Sequence, residues 1–86
     1  VVSAMTSAQN THGGQEATIL SIYTIMMHWA AVIVPPGYSD PVLFNSGGNP
    51  YGASATADGQ GLTDELKASV QVQTRRTLDI ASKLKS

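Results

Sequence analysis

Apolar and polar residues form blocks along the first third of the chain, and each block has its own period. The opening run VVSAMT predicts a short strand over residues 1–6, and the turn formers SAQNTHGG predict a loop over residues 7–14. Apolar residues then recur at helical spacing, which predicts a helix over residues 15–29 with one buried stripe. The stripe consists of Ile19, Ile22, Tyr23, Met26 and Ala30.

The rest of the chain predicts a second strand, a long connection and a closing helix. The continuous apolar run AAVIV predicts a strand over residues 30–34, of the kind found in parallel sheets covered by helices. No period is recognisable over residues 36–62, whose Gly and Pro content predicts a long loop that is functional or contacts partners. Thr63 as N-cap and two acidic residues after it predict a helix over residues 63–84. Its inner stripe is predicted to contain Leu66, Val70, Thr77, Ala81 and Leu84.

The order strand, helix, strand, long loop, helix predicts an α/β fold. A helix over residues 15–29 spans about 22 Å, and a strand of five or six residues spans about 18 Å. Such a helix can run back across the sheet, so the first three elements are expected to form a βαβ unit with parallel strands.

Composition narrows the function classes. A net charge of −1, from five basic and six acidic residues, lacks the basic surplus of a nucleic-acid binder. No apolar run reaches the ~18 residues of a membrane span. With no Cys and only two His, His12 and His28, the sequence predicts neither a disulfide framework nor a metal site.

Size and charge distribution favour a chain that is covered by other protein. The core of an 86-residue chain without staples is marginal, which favours a fragment or an obligate oligomer. Residues 1–57 carry only Glu16 and Asp40 as charged side chains, so their surfaces are expected to contact protein rather than water.

The predicted loop over residues 7–14 is the segment best placed for chemistry. It joins the carboxyl end of a strand to the start of a helix, where open α/β sheets bind ligands. Gly13 and Gly14 would let a ligand approach the backbone, and the amides of Gln15 and Glu16 face outward at the helix start. The alternative is that the two glycines only shape the turn. The pattern matches neither a dinucleotide fingerprint nor a P-loop.

Structural roles are favoured for the other candidate residues. Trp29 is expected to pack in the core, and His28 to bond a backbone carbonyl. Arg75 and Arg76 are expected on a solvated helix face. Ser, His and Asp form no recognisable nucleophile elbow, so hydrolase chemistry has no support.

Three blocks, THGGQEATI, MHWAAVIVPPGY and SGGNPYGAS, resemble in order and spacing the second half of WrbA-type NAD(P)H:quinone oxidoreductases. These are flavodoxin-like FMN proteins that were first labelled tryptophan repressor-binding proteins. The resemblance implies that residues 1–86 are the C-terminal part of a single flavodoxin-like domain, a doubly wound parallel sheet of order 2-1-3-4-5. Residues 1–6 and 30–34 would be its fourth and fifth strands, and residues 36–62 the family's insertion.

The resemblance also implies a cofactor, substrates and an assembly. Family members transfer two electrons from NAD(P)H through FMN to a quinone, and they form cytoplasmic tetramers with active sites at subunit interfaces. The loop that aligns with the family's flavin-side loop comprises Ser7, Ala8, Gln9, Asn10, Thr11, His12, Gly13 and Gly14. Four of these residues depart from the family's Ser-, Thr- and Gly-rich pattern, which favours flavin contacts through the backbone.

Trp29 stands where many members have the second residue of a His pair that reaches the flavin site. An indole donates one hydrogen bond but exchanges no proton near neutral pH, so no residue is assigned a catalytic role.

The segments that bind the FMN phosphate in flavodoxin-like proteins have no counterpart in these residues. The chain alone is therefore expected to bind FMN weakly or not at all. Two functions stay open: part of an FMN-dependent quinone oxidoreductase, or a truncated, non-catalytic module for oligomerisation or interaction. In either case we expect a homo-oligomer rather than a folded monomer. Residues 1–6 would pair with another chain, or residues 26–29 and 38–51 would bury against neighbours.

Overall fold

The computed structural model describes residues 1–59 and 61–85, and Gln60 and Ser86 lie outside the described residues. Its elements are β1 (Thr6–Ala8), α1 (Gln15–His28), α2 (Val42–Asn45), β2 (Ser54–Thr56) and α3 (Asp64–Leu84). β1 and β2 pair in parallel, with Thr6 opposite Ser54. The predicted α/β class is confirmed, and the parallel sheet between helices is compatible with the C-terminal part of a flavodoxin-like domain.

Both long helices form close to where the sequence predicts them. α1 begins at Gln15 and ends one residue before Trp29. α3 begins after Thr63, whose hydroxyl accepts a hydrogen bond from the Leu66 N–H at 3.1 Å, so the N-cap prediction is confirmed. None of the helices within residues 1–59 and 61–85 is long and apolar enough to cross a membrane.

The predicted stripe of α1 is buried only at its centre. Ile19 and Tyr23 are buried, whereas Ile22 and Met26 are half-buried. Ala30 is exposed and has a left-handed φ of 59° that ends the helix. Its N–H donates to the Met27 carbonyl at 3.0 Å. Glycine is preferred at this position, because a Cβ costs about 1 kcal/mol in the left-handed region.

The buried face of α3 differs from the predicted apolar stripe. The structure buries Leu66, Ser69 and Gln73 on this helix, while Leu84 is 61% exposed. The other predicted residues, Val70, Thr77 and Ala81, are half-buried. The stripe was wrong because the helix turns its polar side chains towards backbone and hydroxyl groups that need partners.

The strands are shorter than predicted and lie at other positions. Residues 1–6 contribute one parallel bridge, Val2 to Ile33, and regular pairing starts only at Thr6. The predicted strand over residues 30–34 is reduced to that bridge, because its first residue is left-handed and Pro35 and Pro36 after it have no N–H to donate.

The predicted loop over residues 36–62 contains regular structure. It forms α2, and it returns to the sheet as β2. Three small residues, SAT, build this strand and give no recognisable period, so the sequence pattern did not reveal it.

Residues 2–8 run as one extended segment, here called the amino-terminal strand, and two other segments pair with the same edge of it. The Val2 N–H donates to the Val32 carbonyl at 2.8 Å, and the Thr6 N–H donates to the Ala53 carbonyl at 3.2 Å. Backbone groups of an extended strand point alternately to its two edges, so these even-numbered residues share one edge. On the opposite edge, the amides of Ser3 and Met5 have no backbone partner among the described residues.

Ala4 lies at the gap between the two pairing segments. Its N–H donates to the Tyr23 hydroxyl of α1 at 3.2 Å, and its carbonyl accepts from the Gln73 side-chain amide of α3 at 2.8 Å. The same Gln73 amide accepts from the Ala53 N–H at 2.7 Å. Gly52 passes so close that a Cβ there would overlap the Ala4 carbonyl oxygen. Two helical side chains thus replace the missing rung of the ladder.

Neighbouring strand residues show that α1 and α3 cover opposite faces. Ala4 packs with Ile19 and Tyr23 of α1, whereas the Ser3 hydroxyl accepts from Gln73 of α3 at 2.6 Å. Successive side chains of a strand point to opposite faces, so the fold has three layers.

Replacing Gln73 with Met should remove these hydrogen bonds while keeping the shape of the side chain. The buried Ala53 N–H and Ala4 carbonyl would lose their partner, and we expect the free energy of unfolding to fall by about 3 kcal/mol. Urea denaturation, followed by circular dichroism, measures it. The matched control is Gln71→Met on the exposed side of the same helix, expected within about 0.5 kcal/mol of wild type. Equal losses in both variants would contradict the bridging role.

Candidate functional site

The candidate site lies at the carboxyl ends of the two parallel strands. β1 ends at Ala8 and β2 at Thr56, and the loop after β1 leads directly into α1. Ser7 and Ala8, predicted to open the loop, belong to β1 instead, so the loop comprises residues 9–14. All of its residues are exposed. This is the position where open α/β sheets bind ligands.

Asn10 and Gly13 give the loop its shape. The Asn10 side-chain oxygen accepts from the His12 N–H at 2.8 Å, and the Asn10 carbonyl accepts from the Gly13 N–H at 2.8 Å. A Cβ on Gly13 would lie 2.9 Å from both the Ala8 Cβ and the Asn10 carbonyl oxygen. The loop therefore folds tightly on itself, and a glycine is needed at position 13.

Gly14 offers an open approach to the backbone. It is the N-cap of α1 with a φ of 77°, and a Cβ placed there would have no atom within 4 Å. Among residues 1–59 and 61–85, the amides of Thr11 and Gly14 have no hydrogen-bond partner. A side chain is thus disfavoured at both glycines, by contact at Gly13 and by backbone angle at Gly14.

The charges around the loop suit a ligand that is held by the backbone. Glu16 is the charged residue nearest in sequence to the loop, and every Lys and Arg lies in α3 or at its C-cap. The loop thus provides free amides and the positive end of the α1 dipole, without a cation for a phosphate. Within the described residues, no three His, Cys, Asp or Glu side chains are grouped as a metal site would require.

Gln15 connects the loop to β2. The residue is 8% exposed, and its side-chain nitrogen lies 3.4 Å from the Asn10 carbonyl, 3.2 Å from the Ala55 carbonyl and 3.2 Å from the Thr56 hydroxyl. The Thr11 hydroxyl lies 3.4 Å from the same Thr56 hydroxyl. Sequence reasoning missed this role, although Gln15 lies one helical turn before Ile19 and therefore extends the buried stripe of α1.

A cleft of about 750 Å³ lies beside the loop. It is bounded by the start of α1, the end of α2, β2 and the start of α3. Hydroxyl and amide groups line it, among them those of Thr11, Gln15, Asn49, Ser54, Thr56 and Thr63. The Asn49 side chain donates to the Ser54 hydroxyl at 3.1 Å and fixes part of this wall.

The structure does not bring Trp29 to the loop. Fourteen residues of α1 separate Trp29 from Gly14, which is about 20 Å along the helix axis. Trp29 is 72% exposed, so its predicted place in the core was wrong. His28 is exposed as well, and within the described residues its side chain makes no hydrogen bond to the backbone carbonyl it was expected to bind.

The two arginines of α3 also lie outside the site. Both are exposed, as predicted, and the Arg76 side chain donates to the Pro35 carbonyl at 3.1 Å. They border a groove of about 930 Å³ along α3 that shares no lining residue with the loop.

The fold is compatible with part of an open α/β domain, and the candidate loop lies at the carboxyl edge of its sheet. The chain is 57% identical, over 95% of its length, to the NAD(P)H dehydrogenase (quinone) of Deinococcus radiodurans. Proteins of the same name from Geobacter metallireducens and Methylocella silvestris are 40% and 39% identical over 93% and 99% of the chain. No family model matches the chain.

These matches confirm the resemblance read from the three sequence blocks. The chain is a homologue, over nearly all of its residues, of proteins named NAD(P)H dehydrogenase (quinone), and is thus related to the WrbA-type quinone oxidoreductases. It spans 41%, 43% and 46% of the lengths of the three relatives, respectively.

Proposed function

We propose that the chain is the C-terminal part of an FMN-dependent NAD(P)H:quinone oxidoreductase that acts in the cytoplasm and reduces quinones by two electrons. The 57% identity to the Deinococcus radiodurans protein over 95% of the chain carries the proposal. The loop over residues 9–14 supports it, since its position and free amides suit a flat ligand that the backbone holds.

The loop would form one wall of the flavin site. Its open backbone at Gly14 and the free Thr11 amide can approach a flavin ring or its ribityl chain without a side chain between them. When bound, FMN supplies the transfer of two electrons between NAD(P)H and a quinone. The part of this chain is to orient the cofactor through main-chain contacts and to keep water from one side of it.

The rest of the flavin site would come from outside residues 1–86. The loop carries no Lys or Arg to neutralise a phosphate, and within the described part of the chain the amides of Ser3 and Met5 have no backbone partner. A further strand on that edge would extend the sheet and bring another loop to the same carboxyl end. We therefore propose that residues 1–86 alone bind FMN weakly.

Homo-oligomerisation is proposed for the exposed apolar end of α1. Ile25, Met27 and Trp29 are 54%, 58% and 72% exposed. Ile25 and Trp29 are four residues apart and therefore lie on the same side of the helix, and exposed apolar residues that share a side are typical of an interface. Because Trp29 lies about 20 Å from the loop of its own chain, any contact it makes with a flavin would be in the site of another copy.

FMN binding and quinone reduction test the proposed function directly. We expect the full-length protein to quench FMN fluorescence on binding, and to oxidise NADH or NADPH when p-benzoquinone is the acceptor. Residues 1–86 alone should bind FMN at least about tenfold more weakly, because they supply only one wall of the site and lack the phosphate contacts. A full-length protein that stays colourless with FMN and reduces no quinone would instead favour a non-catalytic interaction module.

Substitutions at the two loop glycines test the proposed wall. Gly13→Ala should displace the loop around Ala8 and Asn10 and weaken FMN binding by about tenfold. The overlap involves the last residue of β1 and one residue of the exposed loop, where the chain ends its pairing, so the free energy of unfolding should fall by no more than about 1 kcal/mol. Gly14→Ala adds backbone strain and a methyl group on the open side, with an effect of similar size. Equal FMN dissociation constants for wild type and both variants would exclude the loop from the flavin site.

Trp29→Ala tests the proposed interface. Removing this exposed side chain should lower the average mass of the full-length protein in sedimentation at low concentration, with little change in its far-UV circular dichroism. Lys85→Ala, a change at the C-cap of α3, is the control and should leave the assembly intact. An unchanged oligomer in the Trp29 variant would contradict the proposed contact.

A further inference from the structure

The side-chain amide of Gln15 lies buried among backbone and hydroxyl oxygens that belong to two distant segments. Its nitrogen reaches Asn10 in the loop after β1, and Ala55 and Thr56 in β2. The chain leaves the sheet after residues 32–34 and returns to it as β2, and the segment over residues 35–53 between these points is here called the excursion. Because Gln15 contacts β2, it couples the excursion to the loop.

The orientation of this amide follows from its surroundings. Two of the three neighbouring groups are carbonyl oxygens, which accept and never donate, so the nitrogen must face them. A flipped amide would place its own oxygen against both carbonyls. The two hydrogens of the nitrogen are therefore committed to holding the loop against β2.

Few other contacts hold the loop over residues 9–14 against β2. Its internal bonds, from Asn10 to His12 and Gly13, fix its local turn but tie it to no other element. The Thr11 and Thr56 hydroxyls are 3.4 Å apart in an exposed position, which makes a weak second link. Of these two links, which are those found among residues 1–59 and 61–85, Gln15 makes the buried one.

We propose that Gln15 is a positioning residue of the flavin site. It fixes the loop over residues 9–14 against β2, so that the free amides of Thr11 and Gly14 keep the spacing that a bound flavin needs. This inference rests on the proposed function, because it takes the loop to be a wall of that site. It adds that the segment leading to β2 controls cofactor affinity through its contact with Gln15.

Two substitutions at Gln15 in the full-length protein test this role. Gln15→Met keeps the length of the side chain and removes the donor, and should raise the FMN dissociation constant about tenfold in a fluorescence titration. Gln15→Glu faces two carbonyl oxygens with a carboxylate, which raises the pKa of that introduced carboxyl group. When protonated, it regains one O–H donor. The FMN affinity of Gln15→Glu, relative to that of wild type, should therefore recover as the pH is lowered from about 8 to about 5. The relative affinity of Gln15→Met should not change with pH.

The matched controls are Gln71→Met and Gln71→Glu, the same changes at an exposed glutamine of α3. Both should bind FMN as wild type does at every pH. In the apo protein, amide hydrogen exchange over residues 11–14 should be faster in Gln15→Met than in Gln71→Met. This readout reports the shape of the loop without the cofactor.

The outcomes separate the inference from the proposed function. If wild type binds FMN and Gln15→Met binds it equally well, the positioning role is overturned and the proposed function stands. If the wild-type protein does not bind FMN, the proposed function fails and this inference fails with it. If Gln15→Met does not fold, Thr56→Val and Thr11→Val decide together: both remove the hydroxyl pair, and only Thr56→Val also removes an acceptor of Gln15. Weaker FMN binding by Thr56→Val than by Thr11→Val, by about threefold, supports the role, and equal affinities of the two variants overturn it.

Discussion

The backbone of Ala4 has no hydrogen-bonded partner strand, because the amino-terminal strand pairs with residues 32–34 before Ala4 and with residues 53–57 after it. Tyr23 accepts from the Ala4 amide, and Gln73 donates to the Ala4 carbonyl from the other face. A buried amide or carbonyl left without a partner costs about 1–3 kcal/mol, so these two contacts hold both helices to the strand. β1 follows Ala4 directly, and the loop that carries the proposed site therefore depends on them.

The excursion between the two pairing segments is a structural part of the site. It leaves the sheet at Pro35, contributes α2, and returns at Gly52, the one residue type that fits against Ala4. Its return as β2 places Thr56 beside the loop after β1. A segment whose composition is typical of a variable surface loop thus supports the region where a ligand would bind.

The three-layer arrangement is complete on one side of the amino-terminal strand and open on the other. The paired edge carries the bridge at Val2 and the ladder at Thr6, while the amides of Ser3 and Met5 have no backbone partner among the residues that the structure describes. This open edge agrees with the relation to proteins more than twice as long. The exposed apolar residues of α1 also suit contact with further protein, because a helix with almost no charged residues can pack on more than one side.

The sequence by itself determined the α/β class, both long helices, the Thr63 cap and the position of the loop with its two glycines. These features depend on local rules, namely helical periodicity, capping chemistry and the conformational freedom of glycine. The three sequence blocks also sufficed to identify the relatives.

Only the tertiary structure decided how the sheet is paired and which polar residues are buried. β2 consists of three small residues, and pairing between segments some 48 residues apart leaves no local period to read. Gln15 and Gln73 are ordinary surface residues by type, and they are buried because unpaired backbone groups happen to lie opposite them. Such hydrogen bonds are fixed by the meeting of distant segments, which is why sequence patterns could not predict them.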